Sequence, residues 1–139
     1  MGIFRMKYLL DTSIYSQPLR RKPEQNVLAH WAFADDSSCC ISVVTKAEVE
    51  WGLLKAPSKW RDKQYREVLL NRVQILQSTQ EIWDVFSQMK ARQLQTGQPI
   101  GDLDLLIAAT ARHHGLQLAT LNVRDFRRIE GLSWVDWSK

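Results

Sequence analysis

Four acids in this chain stand where carboxylates can do chemistry. Asp11 follows the short apolar run 7–10, and Glu48 follows the β-branched run 39–44. Asp104 opens an alanine- and leucine-rich stretch after Gly101, and Asp125 follows the apolar run ending at Thr120. Hard divalent cations take oxygen ligands, and Mg²⁺ typically binds one or two carboxylates while keeping water and substrate phosphate in its other positions. An ion so held polarises a phosphate and makes hydroxide available near neutral pH. Each acid alone also has a purely structural explanation. Thr45-Lys-Ala-Glu48 matches a capping box, Asp102 and Asp104 suit a helix N-terminus, Asn122-Val-Arg-Asp125 resembles a cap, and Asp11 suits an Asx-turn. What favours chemistry is the set, four acids all at the same kind of boundary.

A shared cleft requires elements that deliver the four acids to one edge. The pattern predicts a buried strand at 7–10, a basic proline-marked turn at 17–22, and a helix opened by Pro23 in its first turn and reaching residue 34. A second strand spans 39–44. Helices follow from Thr45 to residue 55 and over 59–71, the latter with Tyr65, Val68 and Leu69 on one face. After a short strand at 73–76, Ser78-Thr-Gln-Glu81 opens a long helix whose buried stripe is Ile82, Trp83, Val85, Phe86 and Met89. A loop at 97–101 leads to a helix over 102–114 closed by Gly115, then strands at 116–120 and 133–135. Strands alternating with helices predict an α/β fold, a mainly parallel central sheet with helices on both faces. In such sheets, sites form beyond the carboxyl ends of the strands.

Composition narrows the class. The chain has 139 residues, 45% of them hydrophobic, which fits one domain, drawn here as residues 6–139. Met6 offers an alternative start. No apolar run approaches the ~18–20 residues of a membrane helix, and the first residues lack a secretory pattern. Cys39 and Cys40 are adjacent, so on a strand they face opposite sides, pair poorly and serve packing; with no disulfide framework the expected compartment is the cytoplasm. Lysine plus arginine is 19 against 15 acids, a net charge of +4 that suits a polyanionic partner. Basic residues cluster at Arg20-Arg21-Lys22, along 55–66, and at Arg124, Arg127 and Arg128. The last group neighbours Asp125 and is the first choice for phosphate contacts. His113 and His114 sit at a predicted helix end and His30 mid-helix, positions that ordinary capping and packing explain. No Gly-x-Gly-x-x-Gly, Walker or Gly-x-Ser-x-Gly motif is present, which removes support for nucleotide cofactors and serine hydrolase chemistry.

Four stretches carry a family resemblance: Tyr8-Leu-Leu-Asp-Thr-Ser13; Ile41-Ser-Val-Val-Thr-Lys-Ala-Glu48 with Gly52; Pro99-Ile-Gly-Asp-Leu-Asp-Leu-Leu-Ile-Ala-Ala109; and Leu118-Ala-Thr-Leu-Asn-Val-Arg-Asp-Phe126, followed by Gly131-Leu and Trp137. In this order they resemble the PIN domain, within it the VapC-like and FitB-like toxins of bacterial toxin–antitoxin pairs. The resemblance implies a three-layer PIN-like fold and a metal-dependent endoribonuclease. It implies Asp11, Glu48 and Asp104 as site acids, with Thr12 or Ser13 as the hydroxyl that holds the metal shell. Some members carry aspartate where this chain has Asn122. Asp125 then completes the metal set of Asp11, Asp104 and Asp125, with Asn122 a neutral neighbour. The implied cofactor is Mg²⁺ or Mn²⁺. The implied partners are an RNA substrate, a cognate antitoxin and a second copy in a homodimer. Two rivals stay open beside it: an RNA-processing PIN nuclease without antitoxin, and a catalytically inactive PIN module that only binds RNA or protein, for which Asn122 is the motive. A phosphoacceptor receiver domain also gathers acids at strand ends, but Asp11 has no acidic neighbour and Thr120 leads to Leu121-Asn122 rather than to a lysine.

Overall fold

The computed structural model describes residues 5–97 and 99–139. The leading residues 1–4 and Gln98 of the predicted loop lie outside them. Among the described residues five short strands form one sheet: β1 Tyr8–Leu10, β2 Cys39–Ser42, β3 Gln74–Leu76, β4 Gln117–Thr120 and β5 Trp134–Asp136. Their order is β3-β2-β1-β4-β5, and every neighbouring pair is parallel. The chain builds outward from β1 on one side, then crosses back to lay β4 against the other side of β1. That reversal opens a crevice at the carboxyl ends of β1 and β4, the place where open parallel sheets bind ligands.

The helices are α1 Thr12–Tyr15, α2 Gln25–Ala34, α3 Val43–Lys55, α4 Lys59–Gln64, α5 Gln80–Thr96, α6 Asp102–His114 and α7 Val123–Phe126. Successive strand residues face opposite sides, so each strand feeds two cores. Leu9, Cys40 and Leu118 pack with Ile82, Met89 and the apolar face of α6. Leu10, Cys39, Ile41 and Ala119 pack with Val27, Trp31, Tyr65 and Leu69 on the other side. Burying one such side chain stabilises by roughly 1.5–3 kcal/mol. Cys39 and Cys40 are buried, unbonded and on opposite faces, as adjacency predicts. Burial pushes both thiols up to about 12, so they serve packing and not thiolate chemistry. No helix among the described residues is long and apolar enough to cross a membrane.

Several boundaries differ from the sequence expectation. Pro23 precedes α2, whose cap position is Glu24. α3 starts at Val43, two residues before Thr45, because the Ser42 hydroxyl accepts from the Val44 amide (3.1 Å) and caps the helix. The cap of α5 is Thr79, not Ser78, and Trp83 is 46% exposed rather than buried. Beyond α4 the chain continues as one wide π-type turn, Tyr65–Leu69, closed by a Leu70 amide to Tyr65 carbonyl bond of 2.7 Å. The wider turn keeps Tyr65 and Leu69 buried but turns Val68 to solvent. α6 runs over the expected residues and ends at Gly115, whose φ of 66° is the left-handed cap that glycine adopts freely.

Candidate active site

The crevice is built on Asp11. Leu10 pairs with Ala119 across β1 and β4, and the Asp11 amide donates to the Ala119 carbonyl (3.1 Å), so Asp11 lies beside Thr120. Its side chain is buried and caps α1. Oδ1 accepts from the Ser13 hydroxyl (2.6 Å) and the Ile14 amide (3.1 Å), and Oδ2 accepts from the Thr120 hydroxyl. Burial pushes the Asp11 carboxyl up, and these donors oppose that by stabilising its charged form. The donors are themselves fixed: Ser13 Oγ accepts from the Leu121 amide (3.1 Å) and Thr120 Oγ1 from the Asn122 amide (2.8 Å).

Glu48 arrives from α3. Because that helix begins at Val43, Glu48 lies in its second turn, and the capping-box reading does not hold. Its Oε1 instead accepts from the Thr12 hydroxyl (2.6 Å), which lies 3.4 Å from Thr45 Oγ1. Asp104 is in the first turn of α6 and half-buried; the cap itself is Gly101, without a side-chain bond. Its carboxyl is pushed up to about 6, first by burial and then by repulsion from Glu48, Asp11 and Asp125. Asp125, on α7, is turned toward its own neighbours: Oδ2 accepts from Asn122 Nδ2 (3.1 Å) and Oδ1 from Arg128 (2.7 Å).

The four acids therefore share one electrostatic neighbourhood, which strand-end placement predicts. They do not close around a point. Among the described residues no three acids, histidines or cysteines stand as a ready ligand cluster. Each engaged carboxylate is instead turned to a hydroxyl, an amide or an arginine, and repulsion reaches further than coordination. The donor set nevertheless fits a hard cation: it is all oxygen, and after burial the charges of Glu48, Asp11 and Asp125 push Asp104 further up. Arg124 and Arg127 are exposed, while Arg128 lies along Asp125. The histidines are elsewhere. His113 and His114 end α6, nine residues or roughly 13 Å along the helix from Asp104. His30 Nε2 lies 2.8 Å from the Lys139 carbonyl.

Thr120 and Thr45 are site residues that the sequence reading missed. Nothing in a strand-terminal threonine marks it until the β1–β4 register places it against Asp11. Thr120→Val keeps the shape but removes both bonds of the hydroxyl. It is expected to cost roughly 1–3 kcal/mol at pH 7, and less in acid, where the Asp11 carboxyl, pushed up by burial, is protonated. Urea unfolding checks this; unchanged stability at pH 7 would mean the hydroxyl does nothing for Asp11.

Glu48 also divides two surfaces. On one side is an apolar groove of about 570 Å³ lined by Val43, Ala47, Trp51, Trp83 and Leu103. There Trp51 is 63% and Leu103 51% exposed. On the other is a smaller cleft that holds Thr12 and runs to Arg20 and Arg61.

A family model described as the PIN domain matches residues 8–132. The chain is similar to the tRNA(fMet)-specific endonuclease VapC of Shigella flexneri, 31% identical over 133 residues, 96% of this chain and 99% of that protein. It is 33% identical to Ribonuclease VapC2 of Haemophilus influenzae over 132 residues, 95% and 98% of the two chains. Among solved structures, VapBC2 from Rickettsia felis bound to a promoter DNA fragment superposes with a TM-score of 0.84 at 25% identity, covering 95% of this chain and 99% of that one. DNA-bound VapBC from Salmonella typhimurium gives 0.80 at 29% identity, with 95% and 98% covered.

Proposed function

Since the chain belongs to the PIN domain family, with VapC ribonucleases among its relatives, we propose that it is a metal-dependent endoribonuclease and the toxin of a toxin–antitoxin pair, acting in the cytoplasm. The observation that carries this reading is the gathering of Asp11, Glu48, Asp104 and Asp125 at one sheet edge, close enough that the other three add to the effect of burial in raising the Asp104 carboxyl. Asp11, Asp104 and Asp125 are the proposed holders of Mg²⁺ or Mn²⁺. When bound, the cation supplies countercharge to the carboxylates and polarises the scissile phosphate.

The chain's own residues do the rest. Ser13 and Thr120 hold both oxygens of Asp11, so that carboxylate keeps one orientation. Thr12 fixes Glu48 through Oε1, and Oε2 is not part of that bond. In this reading Glu48 accepts a proton from the attacking water, a contribution of roughly 10²–10⁴-fold for a well-placed base. The water oxygen bonds phosphorus as the P–O bond to the departing nucleotide breaks, and that nucleotide's oxygen takes a proton from solvent to leave as a hydroxyl end. Asn122 donates to Asp125 Oδ2 and so helps to orient that carboxylate. Arg124 and Arg127 are the proposed phosphate contacts nearest Asp125.

Relatives in this fold are solved as VapBC assemblies, and the apolar groove beside Glu48 is the surface we assign to an antitoxin. Its exposed indoles are of the kind that anchor protein interfaces. A homodimer belongs to the same reading, and sedimentation of the purified protein tests it; a monomer at micromolar concentration removes it. The test of the function is to incubate purified protein with total RNA, and separately with a tRNA(fMet) transcript, with Mg²⁺ or Mn²⁺ and with chelator. New ends are expected at discrete positions in the metal arms alone. Equal cleavage in chelator, or none in any arm, would defeat the proposal.

A further inference from the structure

The cleft that holds Thr12 and Glu48 does not end at the acids. It encloses about 250 Å³ and shares Leu19, Arg20 and Arg61 with a second groove of about 630 Å³. That groove adds Arg21, Lys22, Ser58 and Trp60 to its lining, and no acid. Volumes of this order suit a small bound group such as a nucleotide. Among the described residues, none of Arg20, Arg21, Lys22 or Arg61 is in a salt bridge. They differ in this from Arg128, which lies along Asp125.

The two walls of this groove are tied together. Gln17 is buried, donating from Nε2 to the Ser13 carbonyl (2.9 Å) and accepting from the Glu24 amide (2.9 Å). It thereby fixes the basic loop to the short helix that carries Ser13, one hydroxyl partner of Asp11. Gln64 Nε2 donates to the Pro18 carbonyl (3.3 Å), joining α4 to the same loop. The Arg61 guanidinium donates to the Ala56 carbonyl (2.9 Å). The Arg21 guanidinium lies 4.9 Å from the ring centre of Trp60, an indole that is 36% exposed. Cations along a groove with an aromatic plane at its end form the recurring pattern for single-stranded nucleic acid: charges follow the phosphates and the ring takes a base.

We propose that this groove binds the unpaired RNA flanking the scissile phosphate, with Arg20, Arg21, Lys22 and Arg61 on its backbone and Trp60 stacking one base. The identity of the ligand rests on the ribonuclease reading. The position follows from the continuity of the two clefts, since a strand cut beside Glu48 can leave along the groove without crossing an acid.

The test is binding, not cleavage. A fluorescent unstructured RNA of roughly 15 nucleotides is titrated with full-length protein in chelator, at several salt concentrations, and read by anisotropy. Trp60→Ala is expected to weaken binding roughly 5–100-fold, and Trp60→Phe to restore most of it. Arg20→Gln, Arg21→Gln and Arg61→Gln are each expected to lower the salt slope by about 0.7. Thermal melts confirm that each variant folds. Unchanged affinity and slope in these variants overturns the groove, whether or not the wild type cleaves RNA. Unchanged RNA binding with weakened capture of the antitoxin makes the surface a protein site and overturns it too. Failure of the wild type to cleave any RNA counts against the ribonuclease reading alone, because the anisotropy arms decide the groove independently.

Discussion

Asp104→Asn is expected to remove RNA cleavage, by roughly 100-fold or more, while raising the melting temperature near neutral pH. The loss follows from deleting one proposed holder of a cation worth several kcal/mol to the transition state, at ~1.4 kcal/mol per factor of ten. The gain in stability has a definite sign. Asp104 titrates at about 6 when folded, above its ordinary 3.8. As pH rises between these values the unfolded chain gives up its proton first, so the folded state loses relative stability across that window. Above about pH 6 the full penalty is present, and asparagine removes it. Asp104 is half-exposed, so solvent screening reduces the effect to about 1–2 kcal/mol, or a few degrees. At pH 4 the two proteins should melt nearly together. Added Mn²⁺ should stabilise the wild type, by about 2.7 kcal/mol at a hundredfold excess over Kd, and the variant far less. A mere helix-dipole role predicts the opposite, because asparagine would lose about 0.3–1 kcal/mol at that first-turn position. A variant that melts lower at pH 7, or that cleaves like the wild type, ends the proposed role.

Induced expression of the wild-type chain in a bacterium is expected to stop growth, and co-expression of a small antitoxin gene beside it to restore growth. Asp104→Asn and Glu48→Gln should be harmless at equal protein level. Growth arrest that persists in Asp104→Asn would detach toxicity from the site. The apolar groove supplies a second arm. Trp83 packs edge-on against Phe86 at 5.3 Å between ring centres and leaves nearly half its surface to solvent. A charge there, Trp83→Glu, should spare the fold and the toxicity but remove neutralisation, since a buried unpaired charge costs several kcal/mol at an interface. A Trp83→Glu toxin that the antitoxin still silences moves the docking surface elsewhere.

Where the sequence is legible, local chemistry is unambiguous. Gly101 and Gly115 bracket a stretch rich in alanine and leucine, and α6 has those limits. Strand ends are legible because β-branched and apolar runs stop at Asp11 and Thr120, and that places the four acids on one edge. The start of α3 is hidden because Val43 and Val44 read as strand, although a serine hydroxyl before them caps a helix. That two-residue error made Glu48 look like a cap when it bonds Thr12. The exposure of Val68 is hidden because a wide turn breaks the 3.6-residue period that the reading assumes. Thr120 and the arrangement of Arg128 on Asp125 depend on strand register and side-chain choice among several partners, and neither leaves a local mark.

The bond from Thr120 to Asp11 joins residues 109 apart in sequence. During synthesis, at about 5–20 residues per second, that gap takes roughly 5–20 seconds to fill. Through that interval the nascent chain carries Asp11 with no β4 beside it, and neither Asp104 nor Asp125 has yet been made for most of it. The nascent chain thus emerges beside RNA without the assembled set of acids proposed above. The proposed site is complete only when one of the last strands lies beside the first, a delay that the fold itself imposes.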